Sequence, residues 1–153
     1  MPVKGVVFDI DETLVNETGK GGALMTQQVR GTFEVTMTPQ TGAEVPVGRL
    51  SLAKRFHGPL SGSSSGEMLA VHGGIQGSAG YVAMEKFTGS LEGREGSFAL
   101  QHSGSMDRGV PSLVITVVPD SGTDALAGLK GSLAIEITDG QHFYIFDYSL
   151  PES

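Results

Sequence analysis

Five polar residues between Glu67 and His102 have the types and setting for chemistry on a small molecule. Around Gln76–Phe87, a period-two reading puts Ala79, Tyr81, Ala83, Glu85 and Phe87 on one face. Around Ser97–Ser103, Phe98, Leu100 and His102 share a face, with Ala99 and Gln101 on the other. A carboxylate and an imidazole beside aromatic rings can polarise or protonate a bound molecule. Tyr81, Glu85, Gln101 and His102, with Glu67 one strand earlier, are therefore the candidate ligand-binding residues. The structural alternative is that Glu67 and Glu85 face water, that His102 makes a hydrogen bond at a barrel end, and that Tyr81 and Phe98 are core. The four histidines, His57, His72, His102 and His142, fall on separate predicted strands without metal-ligand spacing. No metal site or cofactor is expected.

The elements that must position these residues are strands. Arg30–Thr38 alternates, with Gly31, Phe33, Val35 and Met37 facing one way. Pro39–Pro46 is a turn-rich connection, and Val47–His57 carries Leu50, Leu52 and Phe56 in phase. Gly58–Gly66 reads as a hairpin or a sharply bent strand. Glu67–His72 runs into Gly73-Gly74, a hairpin signal. Gln76–Ser90 and Gly93–Ser103 are consecutive strands joined near Gly93, so their candidate residues lie on neighbours. Ser112–Val118 is apolar on both faces, leaving Val114 and Val118 for a possible contact between subunits. A loop follows, with one helical turn at Asp124–Leu129. Leu133–Thr138 and His142–Leu150 flank Asp139-Gly140, which supplies the positive φ angles of a type I′ turn. About eight strands with short connections predict an all-β, antiparallel up-and-down barrel. An eight-stranded barrel is just wide enough to be filled with side chains or to hold one small ligand.

Composition agrees. The chain has 153 residues, 23 of them Gly, and hydrophobic residues make up 39%. One domain of this length buries a core without covalent staples. The net charge of −7 disfavours nucleic acid and anionic membrane surfaces as partners. Cysteine is absent, which removes disulfides and thiol chemistry. Val6–Ile10 is too short for a signal-peptide core, and no apolar run approaches a membrane span, so a cytoplasmic location is expected.

The texture changes near Met25. Before it stand an apolar run interrupted by acids and a polar tract with Gly19, Gly21 and Gly22 that reads as a linker. Residues 1–24 are thus an N-terminal extension, and 25–153 the barrel domain. Val6-Val7-Phe8-Asp9-Ile10-Asp11-Glu12-Thr13-Leu14-Val15 resembles the first motif of the haloacid dehalogenase superfamily. That resemblance implies Asp9 as a phosphoryl-accepting nucleophile, Asp11 as general acid/base, and Mg²⁺ beside the first carboxylate. The superfamily also needs a parallel sheet delivering a Ser or Thr, a Lys and a second acidic pair to the strand ends. Lys54, Lys86, Asp120 and Asp124 have suitable types, but Gly-rich hairpins stand where βαβ crossovers would be required. Phosphatase turnover is not expected.

From Met25 onward the chain resembles an uncharacterised bacterial family, domain of unknown function 3224. The resemblance rests on Gly31-Thr32-Phe33-Glu34-Val35, Gly66-Glu67-Met68-Leu69, Gly77-Ser78-Ala79-Gly80-Tyr81-Val82-Ala83, Gly96-Ser97-Phe98-Ala99-Leu100-Gln101-His102, Val117-Val118-Pro119-Asp120-Ser121-Gly122-Thr123 and His142-Phe143-Tyr144. It implies a barrel similar to that of allene oxide cyclase, with an interior cavity, and carries no reaction with it. The expected function is binding of a small, partly apolar molecule inside the barrel. The competing expectations are an isomerase or lyase using Glu85 or His102, a homo-oligomeric interaction module, and, last, the Mg²⁺-dependent phosphatase of Asp9 and Asp11.

Overall fold

The computed structural model describes residues 26–40 and 47–151. The N-terminal extension with Asp9 and Asp11, and most of the Pro39–Pro46 connection, lie outside the described residues. Eight strands follow one another: β1 Gln27–Pro39, β2 Gly48–His57, β3 Leu60–His72, β4 Ala79–Leu91, β5 Arg94–Asp107, β6 Val110–Val117, β7 Lys130–Thr138 and β8 Gln141–Ser149. Each pairs antiparallel with the next, and β8 returns to β1, so the sheet is a closed up-and-down barrel. Closure removes the exposed edges that an open sheet would have to protect. Among the described residues no helix is long and apolar enough to cross a membrane.

The turns follow backbone chemistry. Asp139 and Gly140 have φ of 51° and 79°, the two positive values a type I′ hairpin requires. Glu92-Gly93 and Arg108-Gly109 repeat this pairing of positive φ values at the β4–β5 and β5–β6 corners. The Arg108-Gly109 corner lets β5 continue past Ser103, where the sequence suggested an end, to Asp107. The Ser/Gly stretch after Gly58 is the first half of one continuous strand, β3. Its inward positions are Gly62, Ser64 and Gly66, and large side chains of β4 fill the space these leave. A Cβ added to Gly66 would lie 2.6 Å from the Cα of Glu85 and 2.0 Å from the carbonyl oxygen of Met84. Glycine at this place is thus a close-approach requirement and not a strand breaker.

One half of the interior is solid. Phe56, Phe87, Phe98 and Phe146 are almost fully buried, with the Phe87 and Phe98 ring centroids 4.9 Å apart and Phe98–Phe146 at 5.9 Å. The loop from β6 to β7 closes this end. It makes a single 3₁₀ turn at Asp124–Leu126 and drives Leu126 and Leu129 into the core. Several bonds hold it to β5: Thr123 N–H donates to the Ser97 carbonyl at 2.9 Å, Val118 N–H to the Ala99 carbonyl at 2.9 Å, Ala99 N–H to Ser121 Oγ at 3.0 Å and Ser97 N–H to Thr123 Oγ1 at 3.0 Å. That loop also spans the sparsest seam, since β6 and β7 register through Thr116 and Ser132 alone. On the outer face of β6, Val114 and Val118 are half-buried. Exposed apolar side chains of the sheet are Leu69, Val71, Val82 and Met84 on β3 and β4, Met37 on β1, and Val110 at the start of β6.

Tyr144 ties the β2–β3 corner to β8. Its hydroxyl accepts from Leu60 N–H at 2.9 Å and donates to the His57 carbonyl at 2.9 Å, with the Leu60 carbonyl 3.1 Å away. Tyr144→Phe leaves the buried Leu60 N–H without a partner, so it is expected to cost about 1–3 kcal/mol in urea unfolding. A loss below a few tenths would mean that water replaces the hydroxyl.

Candidate functional site

Halfway up the barrel the packing changes character. Lys54 on β2, Ser64 on β3, Glu85 on β4 and His102 on β5 all point inward, and each is buried. Toward the closed end, the next inward residues on their strands are Phe56, Gly62, Phe87 and Leu100. Toward the other end they are Leu52, Gly66, Ala83 and Gly104. The four polar groups therefore form one layer above the aromatic core.

Glu85 is the centre of that layer. Its Oε2 accepts from Lys54 Nζ at 2.8 Å and from His102 Nε2 at 2.6 Å, and its Oε1 accepts from Ser64 Oγ at 2.5 Å. Burial works against ionisation of this carboxyl. The adjacent Lys54 ammonium and the hydrogen bond from His102 outweigh it and hold the group at about 2. Glu85 is then a carboxylate that can only accept, so His102 Nε2 must carry the hydrogen. Burial also disfavours the imidazolium, and Lys54 repels it; together they hold His102 below the ordinary histidine value despite the carboxylate. At neutral pH the ring is neutral, and the lone pair is on Nδ1. No described residue hydrogen-bonds that nitrogen.

Above the layer lies a cavity of about 80 Å³. Phe33, Val35, Leu52, Leu113, Ile135 and Ile137 make its apolar walls; Met37, Met68 and His142 are among its other lining residues. Lys54, His102 and Tyr81 are its polar neighbours. The Tyr81 ring lies against the backbone of Gly104, where an added Cβ would be 2.5 Å from Cε1, and its centroid is 6.5 Å from that of His102. No described residue hydrogen-bonds its hydroxyl. Burial, and then the negative charge of Glu85, push the phenol up to about 12, so it stays a hydrogen-bond donor at any physiological pH.

Of the five residues the sequence singled out, the structure brings Tyr81, Glu85 and His102 together. Gln101 and Glu67 do not join them. Gln101 is adjacent to inward-facing His102, so the pleat turns it outward, where it is exposed opposite Met84. Glu67 lies between inward-facing Gly66 and Met68 and is exposed for the same reason, 3.3 Å from Arg49. Nor does Glu85 face water, as the structural alternative had it; it is 2% exposed. Two members of the layer were missed, Lys54 and Ser64. A signal existed for Lys54, which falls in phase with Leu52 and Phe56 on an otherwise apolar face. Ser64 carried none, being one of six residues in the Ser/Gly run Ser61–Gly66. Among the described residues no three His, Asp or Glu side chains converge as a metal site.

The family model described as "Protein of unknown function (DUF3224)" matches residues 29–148, which span all eight strands. The chain belongs to the DUF3224 family. A solved DUF3224 structure from Shewanella oneidensis MR-1, a protein with unknown function, is 43% identical. It superposes with a TM-score of 0.80, over 84% of this chain and all of its own. No curated protein matches. The match leaves out the first 28 residues and covers the stretch of chain that carries Lys54, Ser64, Glu85 and His102.

Proposed function

We propose that the half-filled barrel binds a small, mostly apolar molecule carrying one hydrogen-bonding group, a ketone, alcohol or similar function. One observation carries this reading. In a cavity walled by aliphatic and aromatic side chains, His102 Nδ1 and the Tyr81 hydroxyl have no hydrogen-bond partner among the described residues. Among the described residues no buried side-chain nitrogen or oxygen lacks a partner, so these two atoms are open to the cavity space, where a ligand's polar group can replace water on both. The apolar walls favour the remainder of the ligand by removing its hydrocarbon surface from water.

The test uses cyclohexanone as a probe, with methyl resonances of Leu113, Ile135 and Ile137 as reporters. Saturable shifts of these signals are expected, and Tyr81→Phe should weaken binding by up to about 10-fold, the worth of one hydrogen bond. Shifts that do not saturate, or that appear only at outward-facing methyls such as Leu69, would refute the proposal. Native mass spectrometry of protein taken directly from cells then reads the mass of any retained molecule.

A further inference from the structure

We infer that the cavity catalyses proton transfer at carbon: His102 Nδ1 removes a proton next to the carbonyl of a bound ketone while the Tyr81 hydroxyl hydrogen-bonds the carbonyl oxygen. This rests on the binding reading above and names the substrate class and the reaction. The geometry supplies three parts that enolisation needs. The base is an imidazole 97% removed from solvent, whose Nε2–H is tied to a carboxylate at 2.6 Å and whose Nδ1 has no partner among the described residues. The donor is a phenol on the adjacent strand, without a partner of its own among those residues and lining the same cavity. The third part is the apolar wall around both groups, whose low polarity strengthens their interactions with a bound molecule.

The step balances without any co-reactant. The C–H bond breaks, and its electron pair becomes the carbon–carbon π bond of the enolate. The carbonyl π pair moves to oxygen, where the Tyr81 O–H stabilises the charge. The proton is held on Nδ1, and the resulting imidazolium keeps its Nε2–H on the Glu85 carboxylate. In D₂O the Nδ1 proton swaps with a solvent deuteron through the open cavity, and return of that deuteron to the same carbon gives exchange. Return to the far carbon of a β,γ-unsaturated ketone gives its conjugated isomer, so the reaction class is an intramolecular double-bond or keto–enol isomerisation. Lys54 keeps Glu85 ionised throughout, and burial, with the Lys54 charge adding to it, keeps His102 neutral before the step, as a base must be.

The experiment incubates the full chain with cyclohexanone in D₂O and follows loss of the α-proton signal, while the methyl shifts report binding in the same tube. Exchange well above buffer is expected. Its rate should rise with pH along one ionisation centred below the ordinary histidine value, set by His102 among Glu85, Lys54, Tyr81 and His142. His102→Gln keeps an N–H for Glu85 but has no basic nitrogen, and should lower the enzymatic rate by about 10²–10⁴-fold. Tyr81→Phe should lower it by about 10²-fold or more. Gln101→Ala, on the outer face of the same strand, should leave it unchanged. Saturable binding with exchange no faster than buffer overturns the inference and leaves the binding proposal standing; absence of saturable binding overturns both. Full exchange in His102→Gln, or a rate flat with pH, also overturns it. Should His102→Gln fail to fold, Tyr81→Phe decides, because its hydroxyl has no bond to a described residue that the fold could lose.

Discussion

Replacing Glu85 with alanine is expected to lower the unfolding free energy by about 3–5 kcal/mol, because it leaves the buried Lys54 ammonium with no counter-ion. The Lys54 side chain is 6% exposed, and its other close neighbours are the faces of Phe33 and Phe56, with Nζ 5.2 Å and 6.0 Å from the ring centroids. Rings contribute a fraction of what a carboxylate at 2.8 Å does. The removed carboxylate also strands the Ser64 hydroxyl and His102 Nε2–H, which adds their desolvation to the cost. Replacing both ions, as Lys54→Met with Glu85→Leu, should recover most of the loss, since no charge then remains buried. The check is urea unfolding of wild type, the single variant and the double variant, with the slope compared to confirm that the same surface unfolds. A single-variant loss under about 1 kcal/mol would mean that water enters the layer and solvates Lys54.

The second large effect is acid sensitivity. The Glu85 carboxyl titrates at about 2 in the folded barrel against an ordinary 4.5. The unfolded chain therefore takes up its proton first as pH falls. The stabilisation is fully present above about pH 4.5 and drains away as pH falls toward 2, in total about 3 kcal/mol at 1.36 kcal/mol per pH unit. His102 acts in the same direction. Its folded value lies below 6.5, so protonation of the unfolded chain begins to cost stability already near pH 6.5. Unfolding measured at intervals from pH 7 to 3 should show a steady loss, and the loss below pH 5 should be shallower in Glu85→Gln, which has no proton to gain. Constant stability across that range would contradict the buried ion pair as drawn.

Much of this architecture is readable along the chain, and particular residues show where reading stops. Alternation places Phe33, Val35 and Met37 on one face and Phe98, Leu100 and His102 on another. A strand's period of two leaves those residues little choice once one face meets a core. Asp139-Gly140 marks its own hairpin, because few residue pairs accept two positive φ values. By the same arithmetic Tyr81 and Glu85 go inward together while Gln101 goes outward.

Alternation does not tell how high along the barrel axis an inward residue sits, or which inward residues of other strands share its level. Lys54, Ser64, Glu85 and His102 come from four strands, and they meet only because the registers of β2 to β5 bring them to one height. Those registers follow from hairpin geometry and from closure of the ring, both properties of the whole sheet. In the sequence Glu85 reads as well as a solvated acid, since nothing local supplies the Lys54 charge that lets it be buried. Gly66 and Gly104 read as breaks. Only the folded barrel shows that each lies mid-strand, opposite the backbone of Glu85 and of Tyr81, and leaves room for those residues to reach the interior. Local chemistry thus decided which face each residue takes, because that choice depends on two neighbours and the pleat. The charge cluster and the open space above it were decided by the tertiary structure, because they depend on distances between strands that no single strand contains.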